Sequence, residues 1–405
     1  MQCLDPAENK DANAQLPRFR NALSLVESLK PNHSIYCLRP QILASTAKRF
    51  IQLFPGEVMY AVKCNPHPLV LDSLTKGGIK RFDVASATEV AQVSSTYPDA
   101  QIYFMHPVKS RTAIRTAYWD YGVRHFAVDH YNELTKILEE TGGKNLTIAV
   151  RVKTPLSEGS LYHLAKKFGA EPQLAAQLMQ QADRAGCRVG ITFHVGSQCI
   201  EPQAYSKALD MVGEVIKMAE IEPVSIDVGG GFPVDYPGQD VPPLEDYMTE
   251  IERGLKSINL SRGVKIFAEP GRALVAAGCS LLTQVQLRKE EQVFINDGVY
   301  GALSELLDSK NTLLTKVLRL DGAVCEKVEE FSVCGVTCDS TDMLPSPLCL
   351  PMDLREGDWL EIDRVGAYSN ALSTKFNGFR SDVFAILDDA PPSEVERQQV
   401  LIATS

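Results

Sequence analysis

Four groups of residues in this 405-residue sequence could do chemistry: a lysine at the end of an apolar run, a glycine triplet, a Glu-Pro-Gly-Arg turn, and a thiol beside a carboxylate. Lys63 follows Val58–Val62 and opens Lys63-Cys64-Asn65-Pro66. An amine held near apolar walls gives up part of its preference for the charged form and can attack an aldehyde. Gly229-Gly230-Gly231 lets the backbone approach an anion and aim N–H groups at it. Glu269-Pro270-Gly271-Arg272 offers a guanidinium fork for the same anion. It also offers a carboxylate able to keep a pyridine nitrogen protonated, making the ring an electron sink. His194, ahead of Gly196-Ser197, could lie flat against such a ring. Cys338-Asp339 places a thiol and a carboxylate in one loop. Each has a plainer role: a lysine stem with its head in water, a tight turn, an ion pair, a core histidine, an inert cysteine. Convergence on one place has to decide between them.

The elements that must position these groups alternate strand and helix. Strands are expected at Val58–Val62, Arg81–Ala85, Ile102–Phe104, His125–Val128, Leu146–Val152, Gly190–Val195, Val224–Val228 and Lys265–Ala268. Amphipathic stretches at Ala87–Ser95, Tyr131–Glu140, Pro172–Ala185 and Ala204–Ala219 read as intervening helices. Eight βα units predict an α/β chain built on a (β/α)8 TIM-like barrel, whose chemistry sits at the carboxyl ends of the strands. Those ends carry Lys63, Asp83 with Ser86, His106, Asp129, Arg151, His194, Asp227 through Gly231, and Glu269 through Arg272. Chance would not send so many polar residues to one end of eight strands.

Beyond Arg272 the pattern changes. Leu281–Leu287, Gln292–Ile295, Val317–Leu318, Phe331–Cys334, Trp359–Ile362 and Ser381–Leu387 read as strands without regular helices, and Ser34–Arg39 as a further strand. Pro345, Pro347 and Pro351 mark a loop-rich stretch. The expected division is residues 1–34 as an N-terminal segment, 35–275 as the barrel, 276–390 as an all-β domain and 391–405 as a tail.

Composition is that of a globular protein, 44% hydrophobic and 23% charged, so a large core can form. A net charge of −10 argues against a nucleic-acid or anionic-membrane surface while leaving room for a local phosphate site. No run reaches the roughly 18 apolar residues of a membrane span. The first residues lack the basic and apolar regions of a signal peptide. Ten cysteines without C-x-x-C pairing suggest neither disulfides nor a metal site, and a cytoplasmic location is expected.

The assembled pattern resembles the fold-type III pyridoxal-phosphate decarboxylases, in their ornithine/lysine decarboxylase branch, whose fold is alanine racemase-like. The segments that carry it are Tyr60–Pro66, Phe82–Ser86, Lys167–Gly169, Phe193–Ser197, Asp227–Pro233, Glu269–Arg272, Asn296–Gly301, Thr337–Asp339, Gly366–Tyr368 and Phe376–Phe379. They run in order from about residue 35 to 387, nearly the whole chain.

The resemblance implies pyridoxal 5'-phosphate as cofactor, with Lys63 carrying it as a Schiff base. His194 would stack on the ring and Glu269 would hold the ring-nitrogen proton. Asp83, Glu89 and Arg151 would surround the lysine and ring. Ser197, Gly229, Gly230, Gly231, Arg272 and Tyr368 would bind the phosphate, and Gly271 would also contact the cofactor. The resemblance also implies a homodimer with shared active sites, Lys167 and Asp342 forming an intersubunit ion pair. Cys338 and Asp339 would then come from the partner subunit, the thiol protonating the substrate carbon after CO₂ leaves and the carboxylate holding the distal amine.

A basic diamino acid is the implied small-molecule substrate, L-ornithine to putrescine first and L-lysine to cadaverine second. Tyr300 and an acidic residue, Asp308 or else Glu305, would read its side-chain ammonium. Eukaryotic-type members differ in this region. A larger amine-bearing amino acid, such as a siderophore precursor, is an alternative. Diaminopimelate decarboxylases usually show Cys-Glu-Ser where this chain has Cys338-Asp339-Ser340, and alanine racemases place an arginine where this chain has Glu269. An inactive regulator of the antizyme-inhibitor type would typically lack some of Lys63, His194, Glu269, Arg272 and Cys338, all of which stand here.

Overall fold

The eight expected strands pair in chain order into a closed parallel barrel. The computed structural model describes residues 16–155, 159–161, 164–307 and 313–390. Barrel strands are Glu57–Ala61, Arg81–Val84, Gln101–Phe104, His125–Val128, Thr147–Arg151, Arg188–Thr192, Ser225–Asp227 and Lys265–Ala268. The last closes on the first through Phe267↔Glu57 and Ala268↔Val58. One boundary moves noticeably: the strand expected to reach Val195 ends at Thr192. Beyond it Gly196 N–H turns back onto His194 Nδ1 at 3.0 Å, which takes the segment off the ladder.

Helices form where the pattern and the caps agree. Ala87–Thr96 is opened by Ser86, whose hydroxyl accepts from Glu89 N–H. Tyr131–Thr141 is stopped by Gly142 at φ +69, and Pro172 begins Pro172–Arg184. Gln203–Ala219 packs on Leu244–Ile258, where Gly254 is required because a Cβ there would sit 2.7 Å from Leu209. The barrel interior is filled by Met59, Tyr103, Met105, Ala127 and Phe267. Burying each such large side chain stabilises the fold by roughly 1.5–3 kcal/mol. A barrel plugged with apolar side chains leaves chemistry to its rim.

The described residues divide into two units, the barrel unit being Leu43–Pro66 with Leu74–Ala276. The other unit takes the described residues up to Ile42, His67–Ser73, and those from Ala277 onward. It is built on a nine-stranded mixed sheet that includes the expected strand at Ile35–Leu38, between Cys279–Lys289 and Phe384–Leu387. Leu25, Val26, Ile35, Leu282 and Leu387 form its apolar centre, and Trp359 Nε1 donates to Pro31 O at 2.9 Å.

Three elements here escaped the sequence pattern. Arg18–Phe19 is a two-residue strand, too short for any period. Ala22–Leu29 is a helix capped reciprocally by Asn21 and Ser24, in the segment left unassigned. Leu348–Pro351 is a strand within the proline-marked stretch, with Leu348 and Leu350 buried. It ends the sheet's strand path, and Pro351, as its last residue, costs the ladder little. Among the described residues no helix is long and apolar enough to cross a membrane.

Candidate active site

The lysine is presented by a single tight turn. After Glu57–Ala61 the chain enters a 3-10 turn over Val62–Cys64, closed by Asn65 N–H on Val62 O at 3.1 Å and by Tyr60 hydroxyl on Asn65 O at 3.0 Å. Val62 and Cys64 are buried by the turn, which leaves Lys63 facing outward. Register Ala61↔Asp83 sets the next strand's carboxylate alongside, and Lys63 Nζ donates to Asp83 Oδ2 at 3.0 Å. The apolar walls expected around this amine are therefore corrected: its side chain is 43% exposed and its neighbour is a carboxylate that is 2% exposed. Glu89 stands close by for a local reason. Its Oε2 accepts from Ala85 N–H at 2.7 Å, so Ser86 and Glu89 together cap the helix between them. Burial pushes the Glu89 carboxyl above its ordinary pKa.

The glycine triplet is shaped for close approach. Gly229 and Gly231 hold φ +68 and +108, and a Cβ on Gly229 would fall 2.1 Å from Phe193 O. On Gly230 it would fall 2.6 Å from Glu269 O and 3.1 Å from His194 Nε2. Glycine is required here because the neighbouring strand ends pass too close for any Cβ. Arg272 is buried beside the triplet's unit-mates, donating to Tyr236 hydroxyl at 3.0 Å and to Ser197 Oγ at 3.3 Å. Gly271 lets that turn pass Cys64, whose Cβ would be 3.0 Å from an added Cβ. A guanidinium, a hydroxyl and a glycine-rich backbone make an anion cradle.

Three further groups line the same rim. His194 Nδ1 accepts from Gly196 N–H, which assigns the ring proton to Nε2, and burial holds its pKa well below the usual value, so the ring is neutral. Arg151 lies 5.2 Å from the Phe168 ring centroid, with its pKa lowered by burial. Glu269 is 8% exposed and Asp227 3% exposed, on neighbouring strand ends. Burial drives the Glu269 carboxyl well above its ordinary pKa, with Asp227 and Asp83 adding to the effect, and raises Asp227 as well. Glu269 Oε1 and Asp227 Oδ2 receive no donor from the described residues. A neutral imidazole, a buried carboxyl held above its ordinary pKa and an anion cradle are the groups that a phosphorylated pyridine aldehyde would need, so the residues fit such a cofactor.

The remaining expected residues lie in the other unit. Cys338 is exposed and its thiol donates to Asn377 Oδ1 at 3.3 Å. Asp339 accepts from Thr341 N–H at 2.8 Å and from Tyr300 hydroxyl at 3.1 Å, contacts that hold its pKa below the usual carboxylate value. Tyr368 adopts φ +56, an uncommon conformation for a tyrosine and one that costs of order 1–3 kcal/mol. Asp342 is buried, accepting from Val299 N–H and from both Thr337 N–H and its hydroxyl. Glu305 is half-buried in the turn Ser304–Leu307, and Asp308 falls outside the described residues.

Several residues were passed over by sequence reasoning. Asp227, directly ahead of the glycines, drew no role although its position beside Glu269 was readable from strand order. Tyr236 carried no local signal, because its hydrogen bond to Arg272 spans 36 residues, and Asn377, inside the matched segment Phe376–Phe379, drew no role because its bond to Cys338 spans 39.

Residues 41–276 match the family described as pyridoxal-dependent decarboxylase, pyridoxal binding domain. A lysine/ornithine decarboxylase of Selenomonas ruminantium is 33% identical over 345 residues, covering 82% of this chain and 84% of its own. Antizyme inhibitor 2 of Xenopus laevis is 31% identical, covering 82% of this chain and 76% of its own. In structure the chain is similar to the lysine/ornithine decarboxylase of Vibrio vulnificus complexed with cadaverine. There the TM-score is 0.79 at 28% identity, covering 92% of this chain and all of that one.

Proposed function

Belonging as it does to the pyridoxal-dependent decarboxylases, this chain, we propose, removes CO₂ from a basic diamino acid, L-ornithine first and L-lysine second. Its cofactor is pyridoxal 5'-phosphate, which when bound supplies an aldehyde for amine capture and a ring that accepts the electron pair left by CO₂. Lys63 anchors the aldehyde and Asp83 orients the amine. His194, neutral and held by Gly196, lies against the ring face. Ser197, Gly229–Gly231, Arg272 and Tyr368 bind the phosphate, and Gly271 also contacts the cofactor. Glu89 and Arg151 set the field around the lysine, and Glu269 serves the ring nitrogen.

We assign Cys338 the proton that replaces CO₂ on the substrate carbon. A thiol can do this only while protonated, and here it is a hydrogen-bond donor. Asp339 receives the distal ammonium, joined by Tyr300 and by Glu305 or Asp308. In this proposal the protein is a homodimer and each Cys338–Asp339 loop serves the partner's site.

The observation that carries the substrate class is Asp339, a carboxylate kept ionised by Thr341 and Tyr300 and free to meet a cation. Decarboxylation assayed side by side on ornithine, lysine, arginine and diaminopimelate tests it. Ornithine turning over fastest is expected; preference for diaminopimelate would sink it. The relative named as an antizyme inhibitor makes inactivity the rival outcome. The presence of Lys63, His194, Glu269, Arg272 and Cys338 in this chain argues against it.

A further inference from the structure

The loop that carries Cys338 and Asp339 is closed into a circuit by a second loop, residues 374–378, through Tyr300. The Tyr300 hydroxyl donates to Asp339 Oδ2 at 3.1 Å. The Tyr300 carbonyl accepts from Thr374 N–H at 2.8 Å and from the Thr374 hydroxyl at 2.9 Å. That hydroxyl accepts in turn from Phe376 N–H at 3.2 Å, and the Phe376 ring packs on Tyr300 with centroids 4.9 Å apart. Asn377, the next residue, returns to the first loop. Its Oδ1 accepts from both the backbone N–H and the thiol of Cys338, each at 3.3 Å. A backbone N–H can only donate, so it fixes which end of the amide faces Cys338, and the sulfur must then be a donor too. Asn377 holds φ +51 and Gly378 φ +80, the left-handed pair that a tight turn requires. Glycine at position 377 would serve that turn equally well, so the turn alone does not account for a side-chain oxygen there.

We propose that Asn377 is a positioning residue for the proton transfer: its side-chain oxygen aims the Cys338 S–H, and the circuit through Phe376 and Tyr300 sets the spacing between that thiol and Asp339. The inference rests on the roles assigned above to Cys338 and Asp339. With the distal ammonium on Asp339, a fixed spacing brings the thiol against one carbon of the substrate. In the step, the S–H bond breaks and a C–H bond forms there, using the electron pair that CO₂ left behind. The sulfur keeps its own pair as a thiolate and regains a proton from water before the next turnover. A thiol free to rotate would spread its proton over neighbouring carbons. A proton delivered to the carbon of the cofactor's aldehyde group, followed by hydrolysis, releases an amino aldehyde instead of the diamine and leaves the cofactor as its amine.

Two readouts test this, one of them independent of activity. In the cofactor-stripped protein, the S–H stretch of Cys338 is isolated as the infrared difference between the parent protein and Cys338→Ala. It is expected as a narrow band at lower frequency than in Asn377→Gly, where the turn survives and the thiol meets only water. Asn377→Asp tolerates the same backbone and keeps an accepting oxygen, so the band is expected to stay low there. In the enzyme loaded with pyridoxal phosphate, Asn377→Gly should raise the share of turnovers that end in aldehyde by about tenfold or more. KM for the diamino acid should not change, because Tyr300 still holds Asp339. Asn377→Asp should restore the parental product ratio. A Cys338 band at the frequency of a water-bonded thiol in the parent protein overturns the proposal, and this arm stands even where an Asn377 variant fails to fold. A parental product ratio in Asn377→Gly overturns it as well. A parental ratio in Cys338→Ala would instead refute the role of the thiol itself, a failure of the functional reading and distinct from one confined to Asn377.

Discussion

Lys63 Nζ sits 3.0 Å from Asp83 Oδ2, at the ends of adjacent strands held together by Ala61↔Asp83. Register alone therefore decides which carboxylate faces the one lysine of that turn, and a slip by one residue would turn Asp83 to the other face of its strand.

Lys63→Ala is expected to abolish covalent cofactor attachment. Borohydride treatment should fix pyridoxal phosphate to the parent protein, and peptide mapping should find it on Lys63. Fixation persisting in the variant would move the anchor elsewhere.

The glycine cradle predicts unequal costs for one substitution. At Gly186, φ is +77 and an added Cβ meets nothing, so Gly186→Ala should cost about 1–2 kcal/mol of backbone strain alone. Gly229→Ala adds a collision with Phe193 O at 2.1 Å and should cost a further 1–3 kcal/mol or so, together with loss of cofactor affinity. Denaturant midpoints with and without pyridoxal phosphate separate the two effects.

His67 and His125 should make the fold acid-sensitive. Burial lowers each pKa from 6.5 to about 4, while His67 packs on Phe384 and His125 on Tyr103. The folded state thus resists a proton that the unfolded chain accepts. Stability is unaffected above pH 6.5, falls as pH drops toward 4, and carries the full penalty below, about 3 kcal/mol for each ring. Asn at either position should flatten the stability–pH curve across that window; an unchanged slope would remove the histidines as its cause.

Arg39 is 1% exposed and bonds Glu361 at 2.7 Å, Asp389 at 2.8 Å and Ser280 at 2.9 Å. Arg39→Ala strands a partly buried carboxylate, Glu361, and should destabilise its unit by about 3–5 kcal/mol, read from thermal or urea unfolding. Activity measured well below the transition should persist.

Asp339→Asn should raise KM for the diamino acid by roughly 10–100-fold, the loss expected for a hydrogen bond to a charged group. Affinity for pyridoxal phosphate should not change. A KM that stays put would place the distal amine against another carboxylate.

Strand positions were legible because buried parallel strands are short apolar runs, and polar residues at their carboxyl ends mark a barrel's rim. Leu348–Pro351 was obscured by its prolines, and Ala22–Leu29 by lying in a segment with too little pattern around it. By itself the sequence determined which residues could do chemistry, from Lys63 through the glycine triplet to Arg272, because residue type and place along a strand are local properties. Only the tertiary structure decided what each one faces. Lys63 meets Asp83 instead of apolar walls, Arg272 meets Tyr236, and Asp227 and Glu269 are buried at the ends of adjacent strands. Such pairings depend on register and burial across strands and loops far apart in the chain, which no local pattern encodes.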